Sequence, residues 1–263
     1  MLRKISAGAR KIKAARASLS SHDLPYTFGI CNFLPATMTP HPLGEFSPDS
    51  TSSLVSPSVP PGLLTQGLPL KLGIMASGNG SNFEAVANAI AQRHLFAQIQ
   101  VLIYNNPEAK AAARAANWGV PAVLLNHRDF QRREDLDQQI VQTLRQYEVE
   151  WVIMAGWMRL VTPVLIDAFP DQIINIHPSL LPSFRGVRAI EQALDAGVKI
   201  TGCTVHIVCL EVDSGPILIQ AAVPVLPDDT LETLHARIQL QEHRILPPAI
   251  TLAARVKTHG TRR

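Results

Sequence analysis

The chain has 263 residues, of which 46% are hydrophobic and 17% charged, and its formal net charge is +3. That is enough apolar chain for a sizeable core. No apolar run approaches the roughly 18 residues that span a bilayer, which excludes an integral membrane helix. Three cysteines (Cys31, Cys203 and Cys209) without a C-x-x-C pair support neither a disulfide scaffold nor a zinc site, and they point to a reducing compartment.

The charge is unevenly placed. Residues 1–70 hold six basic residues (Arg3, Lys4, Arg10, Lys11, Lys13 and Arg16) against three acidic ones (Asp23, Glu45 and Asp49), leaving 18 of each sign in the remainder. The body is therefore neutral, and broad electrostatic attraction to nucleic acid is not expected. Nine of the 20 prolines also fall in residues 1–70, beside the Ser-rich stretch Ser47–Ser58. Such a segment buries too little apolar surface to offset its ordering entropy, so residues 1–69 are expected to form a disordered extension. Its first 22 residues are basic, contain Ser and lack acids, which resembles an organelle transit segment. A plain solvated extension, or a true start at Met38, are the alternatives.

From Leu70 onward, apolar runs alternate with helical patterns. Leu70–Ala76 reads as a strand, and a helix is expected over Asn82–Ala91. Gln98–Tyr104 is the next strand, Pro107 suits the first turn of a second helix, and Gly119 suits its end. Pro121–Leu125 returns as strand, Gln131–Tyr147 reads as a longer amphipathic helix, and Trp151–Ala155 is a strand again. Thr162-Pro163 reads as an N-cap with Pro at the first helical position, opening a helix to about Phe169. Ile173–Ile176 is a fifth strand. This alternation predicts an α/β fold with right-handed crossovers, an open, mostly parallel Rossmann-like sheet and helices on both faces. After a short helix near Ala189–Ala196, the runs Thr201–Val208 and Pro216–Val225 predict an added strand pair. Asp229 and Thr230 cap a last helix, which Pro247-Pro248 is expected to interrupt. Residues 70–256 thus form one domain, and 257–263 a flexible tail.

Ser77-Gly78-Asn79-Gly80-Ser81-Asn82 lies between a strand and a helix, where glycines let the backbone approach a ligand and the helix start offers free N–H groups to an anion. A dinucleotide fingerprint would place a third Gly at Phe83 and an acid about 20 residues on, in a strand that has none. A single phosphate suits the loop better than NAD. Asn175-Ile176-His177 begins where a parallel strand ends, which is where ligand sites of such sheets lie. Alternation puts Asn175 and His177 on one side of the chain, and an amide and an imidazole aimed together are able to stabilise an oxyanion and move a proton. Asp213 is the expected partner of the imidazole, since a neighbouring carboxylate favours its protonated form. An ordinary turn aspartate is the alternative. His206 either orients Asp213 or is a satisfied sheet histidine. His235 and His243 read as helix-face residues, and Cys203 and Cys209 as small hydrophobes.

Several motifs occur in a characteristic order: S-G-N-G-S-N after the first strand, A-G-W-M-R (155–159), N-I-H-P-S-L-L-P-S-F-R-G (175–186), G-C-T-V-H (202–206), V-D-S-G-P-I (212–217) and Q-E-H-R (241–244). In these the chain resembles the phosphoribosylglycinamide formyltransferases, the folate-dependent GAR transformylases of purine synthesis. The resemblance covers about residues 70–255. It implies a formyltransferase fold and transfer of a formyl group from 10-formyltetrahydrofolate, used as co-substrate without a metal, to the amine of glycinamide ribonucleotide. It implies a catalytic set of Asn175, His177 and Asp213. It further implies ribonucleotide contacts at Gly80, Ser81, Asn82, Phe83, Glu84, Gln239 and Glu242. The implied folate contacts are Met158, Arg159, Leu160, Val161, Asn175 and Cys209, Leu210, Glu211, Val212 and Asp213. Arg133 matches a folate-contacting arginine less securely, because Arg132 is adjacent.

The expected mechanism is acyl transfer without a covalent enzyme intermediate. Asn175 and protonated His177 stabilise the formyl oxygen, and the proton moves through His177 or through a water positioned by Asp213. Methionyl-tRNA formyltransferase would require a further C-terminal nucleic-acid-binding domain. Formyltetrahydrofolate deformylase would require a folded N-terminal regulatory domain where residues 1–70 are Pro/Ser-rich. A catalytically silent nucleotide-binding module on the same fold is the non-enzyme alternative. The expected partners are small molecules, with no nucleic acid or membrane and a monomer or weak homodimer. The expected location is the cytoplasm, or an organelle if the extension is a cleaved transit peptide.

Overall fold

The computed structural model describes residues 54–57 and 68–260, with side chains as far as Val256. In chain order the elements are β1 (Val55–Ser56), β2 (Leu70–Ala76), α1 (Ser81–Ala91), β3 (Ala97–Tyr104), α2 (Ala111–Asn117) and β4 (Ala122–Leu124). There follow α3 (Arg133–Gln146), β5 (Trp151–Met154), α4 (Pro163–Ala168), β6 (Ile173–His177), α5 (Ala189–Asp195), β7 (Ile200–Ile207), β8 (Ile217–Pro224) and α6 (Leu231–Gly260). They build one sheet in the order β1-β8-β7-β6-β5-β2-β3-β4. Strands β2 to β6 are mutually parallel, and β7, β8 and β1 are added antiparallel. This is the expected α/β class with its added strand pair.

Strand alternation distributes the core over two faces. On β2, Leu72, Ile74 and Ala76 pack with Phe83 and Val86 of α1, Ala111 of α2 and Leu234, Ile238 and Ile245 of α6. Met75 faces the other way, with Leu136, Ile140 and Leu144 of α3 and Leu165 of α4. Gly73 shares that second face, where a Cβ would lie 2.5 Å from Leu144 Cδ2, so α3 seats directly on the strand. The strand order reverses between β2 and β5, with β3 and β4 on one side and β6 on the other. The loops leaving β2 and β5 therefore diverge there and open a crevice at the strand C-termini.

Four expectations need correction. Helix α2 starts at Ala111, not at Pro107. Asn106 Oδ1 accepts the Glu108 N–H at 3.2 Å and Asn106 O accepts the Ala109 N–H at 2.9 Å, a side-chain-supported turn that competes with helix. Helix α6 continues through Pro247 and Pro248 as far as Gly260, inside the expected tail. Each proline costs about 3 kcal/mol in a helix interior. Here Ile245, Leu246, Ala249 and Ile250 are all fully buried around them, and that burial outweighs the local penalty. Within the expected disordered extension, Val55–Ser56 instead pair with Ala221 and Gln220 of β8, and Leu54 O accepts the Ala222 N–H at 2.9 Å. The basic first 22 residues, Met38 as a start and residues 261–263 lie outside the described residues.

The entry to α6 generates a prediction. Arg237 grips Asp229 with Nη1 at 2.7 Å and Nη2 at 2.9 Å. That fork, aided by the Leu226 N–H and the Thr233 hydroxyl against the cost of burial, pushes the Asp229 carboxyl down to about 2. A folded value below the unfolded one means that stability is present above about pH 4 and lost as pH falls towards 2. Asp229→Asn is expected to lower the unfolding free energy by about 1–2 kcal/mol at pH 7. In urea titrations the gap should close between pH 4 and pH 2, and a gap independent of pH would refute the assignment.

Candidate active site

Asn175 and His177 lie on one face of β6, and the antiparallel register sets Asn175 against His206 and His177 against Thr204 of β7. The β7–β8 connection starts beside Ile173, where the Val208 N–H donates to Ile173 O at 2.8 Å. It then turns back over that face, so that Asp213 reaches the far end of β6. Asp213 Oδ2 stands 3.3 Å from His177 Nδ1, and Oδ1 stands 3.5 Å from both His206 Nε2 and Asn175 Nδ2. Asn175 Nδ2 lies 3.2 Å from His206 Nε2. Asp213 itself adopts a left-handed backbone, φ 51, which Asp tolerates better than most residues.

The segment after β6 closes the group from the other side. Phe184 O accepts from His177 Nε2 at 2.8 Å, and the Gly186 N–H donates to Asp213 Oδ2 at 2.8 Å. Both ring nitrogens of His177 thus face atoms that only accept, a carbonyl and a carboxylate, and the doubly protonated ring satisfies both. The loop curls back because Phe184, Gly186 and Arg188 all take positive φ. For Phe184 that costs on the order of 1–3 kcal/mol, sustained by buried hydrogen bonds. Thr204, fully buried, donates to Ser179 O at 2.7 Å and accepts the Leu181 N–H at 3.1 Å, while Ser179 donates to Ser183 O at 2.6 Å. The long motif thus returns a carbonyl to the imidazole and an N–H to the carboxylate.

Burial opposes the charge on Asp213, but the His206 hydrogen bond, the Gly186 N–H and the positive potential of the two histidines outweigh it. Together they hold the carboxyl below the usual carboxylate range. A persistent carboxylate beside an imidazole and an amide is an arrangement for carrying positive charge next to a developing oxyanion. His206 Nδ1 lies 2.9 Å from Ile207 O, a contact that orients the ring so that Nε2 faces both Asp213 Oδ1 and Asn175 Nδ2.

A second group lies at the β2–α1 loop. Gly80 is the N-cap of α1 at φ 74, and a Cβ there would sit 2.8 Å from Ala111 Cα, so α2 packs directly against the loop. No side chain caps α1, which leaves its first N–H groups for an anion. Helix α6 adds Gln239, which donates to Ser81 Oγ at 3.0 Å, and Glu242, whose Oε2 accepts from Asn82 Nδ2 at 3.0 Å. Burial raises the Glu242 carboxyl, against the Asn82 hydrogen bond and the charge of His235. Phe83 is buried in the core under the loop, and Glu84 binds Arg114 and Trp118.

The two groups are joined across the crevice. The Met158 N–H donates to Ser77 Oγ at 2.8 Å, and the Ser77 N–H donates to Gly156 O at 3.0 Å. Met158 and Leu160 are exposed and Val161 is half-buried, as is Arg159. The Thr162 N–H that ends this segment donates to buried Asp137 Oδ2 at 2.6 Å, and burial raises that carboxyl. Arg133 stands exposed four residues before Asp137, on the same side of α3, while Arg132 pairs with Glu134 at 3.5 Å. In the 208–216 connection, Cys209 Sγ and Ser214 Oγ both donate to Glu211 O, and Glu211 pairs with Arg185 at 2.7 Å. That leaves Leu210 and Val212 exposed, an apolar surface suited to a flat ring. Sequence reasoning missed Arg114 and Asp137, and it named Ser77 and Thr204 only within motifs, without a role of their own. Of the two missed residues, only Arg114, the sole charge in A-A-A-R-A-A-N, carried a signal. Among the described residues no cluster of His, Cys, Asp and Glu is placed to hold a metal, and no helix is long and apolar enough to cross a membrane.

Known proteins share the sequence pattern and the fold. The formyl transferase family matches residues 70–250. The phosphoribosylglycinamide formyltransferase of Bacillus subtilis is 41% identical over 180 residues, covering 68% of this chain and 92% of that protein. The trifunctional purine biosynthetic protein adenosine-3 of Gallus gallus is 39% identical over 185 residues. That match takes in 70% of this chain but only 18% of the trifunctional protein, so the chain spans less than a fifth of such relatives. Among solved structures, glycinamide ribonucleotide transformylase 1 from Symbiobacterium toebii superimposes with a TM-score of 0.71 at 43% identity, covering 72% of this chain and 90% of that one. Phosphoribosylglycinamide formyltransferase from Bacillus halodurans gives 0.67 at 41% identity, covering 69% and 93%.

A buried hydroxyl on β7 is one of the ties on the loop that closes on His177. Thr204→Val keeps the shape but leaves Ser179 O and the Leu181 N–H without that partner. It is expected to cost about 1–3 kcal/mol in urea unfolding. A stability equal to wild type would show that the hydroxyl does not hold the loop.

Proposed function

The chain belongs to the formyl transferase family, and on that premise we propose that it transfers the formyl group of 10-formyltetrahydrofolate to the amine of glycinamide ribonucleotide. The products are formylglycinamide ribonucleotide and tetrahydrofolate. The observation that carries the reading is the convergence of Asn175, His177 and Asp213 beside a loop with an uncapped helix N-terminus. Relatives that this chain covers over more than nine-tenths of their own length are named for this activity.

The glycinamide amine attacks the formyl carbon, and the carbonyl electron pair moves onto the formyl oxygen. Asn175 donates to that oxygen and the charged ring of His177 stabilises it, while Asp213 balances the ring. As the tetrahedral intermediate collapses, the C–N10 bond breaks and N10 takes up a proton equivalent to the one the amine gives up. The folate lies against Met158, Arg159, Leu160 and Val161 on one side and residues 209–213 on the other, with Arg133 near its outer end. The ribonucleotide phosphate sits on Gly80, Ser81 and Asn82, with Gln239 and Glu242 beside it and Phe83 and Glu84 beneath. The reading requires no metal.

The test is formyl transfer followed by folate absorbance, with and without ribonucleotide. Wild type should turn over only with ribonucleotide, and folate consumption in its absence would point to a deformylase instead. Removing an oxyanion-stabilising group typically costs about 100- to 1000-fold. His177→Ala and Asn175→Ala should lose kcat on that scale while still binding ribonucleotide, and near-normal turnover by His177→Ala would sink the assignment.

Asp213→Asn removes the charge that balances the ring. Its kcat should fall about tenfold or more while ribonucleotide binding is retained. A wild-type kcat would contradict the pairing.

A further inference from the structure

Helix α2 carries one charged side chain, and it is committed to the Gly-rich loop. Arg114 Nε donates to Asn79 O at 2.9 Å, Nη2 donates to Asn79 Oδ1 at 3.4 Å, and Nη1 donates to Glu84 Oε2. One turn earlier, the Ala111 N–H donates to Gly78 O at 3.2 Å. Two successive loop carbonyls are therefore drawn to the same side, towards α2.

The planar trans peptide converts this into a statement about donors, because C=O and N–H of one peptide unit point in opposite directions. With Gly78 O and Asn79 O turned to α2, the N–H groups of Asn79 and Gly80 turn away from it. Gly80 is left-handed and Ser81 opens a right-handed helix, the alternation that curves successive N–H groups into an anion-binding concavity. These groups adjoin the uncapped N–H groups of the 11-residue helix α1.

We propose that Arg114 is a positioning residue for the phosphate end of the ribonucleotide, acting through the loop carbonyls that it and the start of α2 turn aside. The proposal rests on reading that loop as the phosphate cradle. Arg114 is not a direct counterion. Glu84 takes up its charge, and that carboxyl is held below its usual range chiefly by the Arg114 hydrogen bond. Trp118 Nε1 steadies Glu84 from the end of α2 at 3.3 Å. The guanidinium is required for its shape, since a carbonyl, an amide oxygen and a carboxylate lie in three directions that a planar fork serves and an ammonium does not. His243 of α6 feels the same charge. Its imidazole is depressed first by burial and then by Arg114.

Arg114→Lys keeps the charge and loses the fork. The expected result is a KM for ribonucleotide, and a Kd for ribose 5-phosphate by calorimetry, each raised about tenfold or more. The KM for folate should be unchanged, and kcat at saturating ribonucleotide should stay within about threefold. Amide hydrogen exchange at residues 79–82 should quicken in the variant while that of β2 does not, which separates a loosened loop from a general loss of stability. Wild-type values of KM and Kd in Arg114→Lys, or a loss confined to kcat or to the folate KM, would overturn the proposal. Failure of wild type to bind ribose 5-phosphate would remove the phosphate reading of the loop and this proposal with it. Binding that is intact in wild type and undiminished in the variant would remove this proposal alone.

Discussion

The buried carboxylate of Asp213 is the constraint around which the site is arranged. A charge at such depth is tolerated only if donors surround it. The donors come from three separated segments: Asn175 and His177 on β6, Gly186 on the loop that follows, and His206 on β7. Each of those segments has a second tie that fixes it independently. The loop is held by Thr204 and Ser179, and β7 by its register on β6. The carboxylate thus makes the added antiparallel strand necessary, because without β7 neither His206 nor the returning connection would face β6.

The crevice where the strand order reverses adds a second requirement, two loop surfaces held at fixed separation. Ser77 meets it with two hydrogen bonds that bind the β2 loop to the β5 loop. Behind them, α6 reaches Ser81 and Asn82 through Gln239 and Glu242, while α3 reaches the end of the β5 loop through Asp137. Helices from opposite faces of the sheet therefore fix the two halves of one cleft. That α6 carries two prolines without breaking follows from the same arrangement, since the helix is held by the core it covers more than by its own hydrogen bonds.

Much of this was legible locally. Apolar runs bounded by Gly and Pro marked the strands of the parallel sheet to within a residue or two, because a strand buried on both faces is apolar throughout. The Thr162-Pro163 helix start and the glycine loop were equally plain, since N-caps and positive φ depend on neighbouring residues alone. The start of α2 was misread because Asn106 captures two amides, a competition that Pro107 does not announce. The unbroken α6 was misread because local propensity is overridden by burial that only the assembled core provides.

Residue types and their order determined the fold class, the location of the glycine loop and the placing of Asn175 and His177 on one face, since each follows from alternation or from backbone freedom within a few residues. Only the tertiary structure decided that Asp213 reaches His177 from a connection starting at the other end of β6, and that His206 stands beside Asn175. It also decided that Arg114 bonds the Asn79 carbonyl, and that Ser77 ties the β2 loop to the β5 loop. Those contacts join residues tens of positions apart, and their existence depends on strand register and on how closely helices seat on the sheet. Both are settled by packing volume and hydrogen-bond satisfaction over the whole domain, quantities that no short stretch of sequence contains.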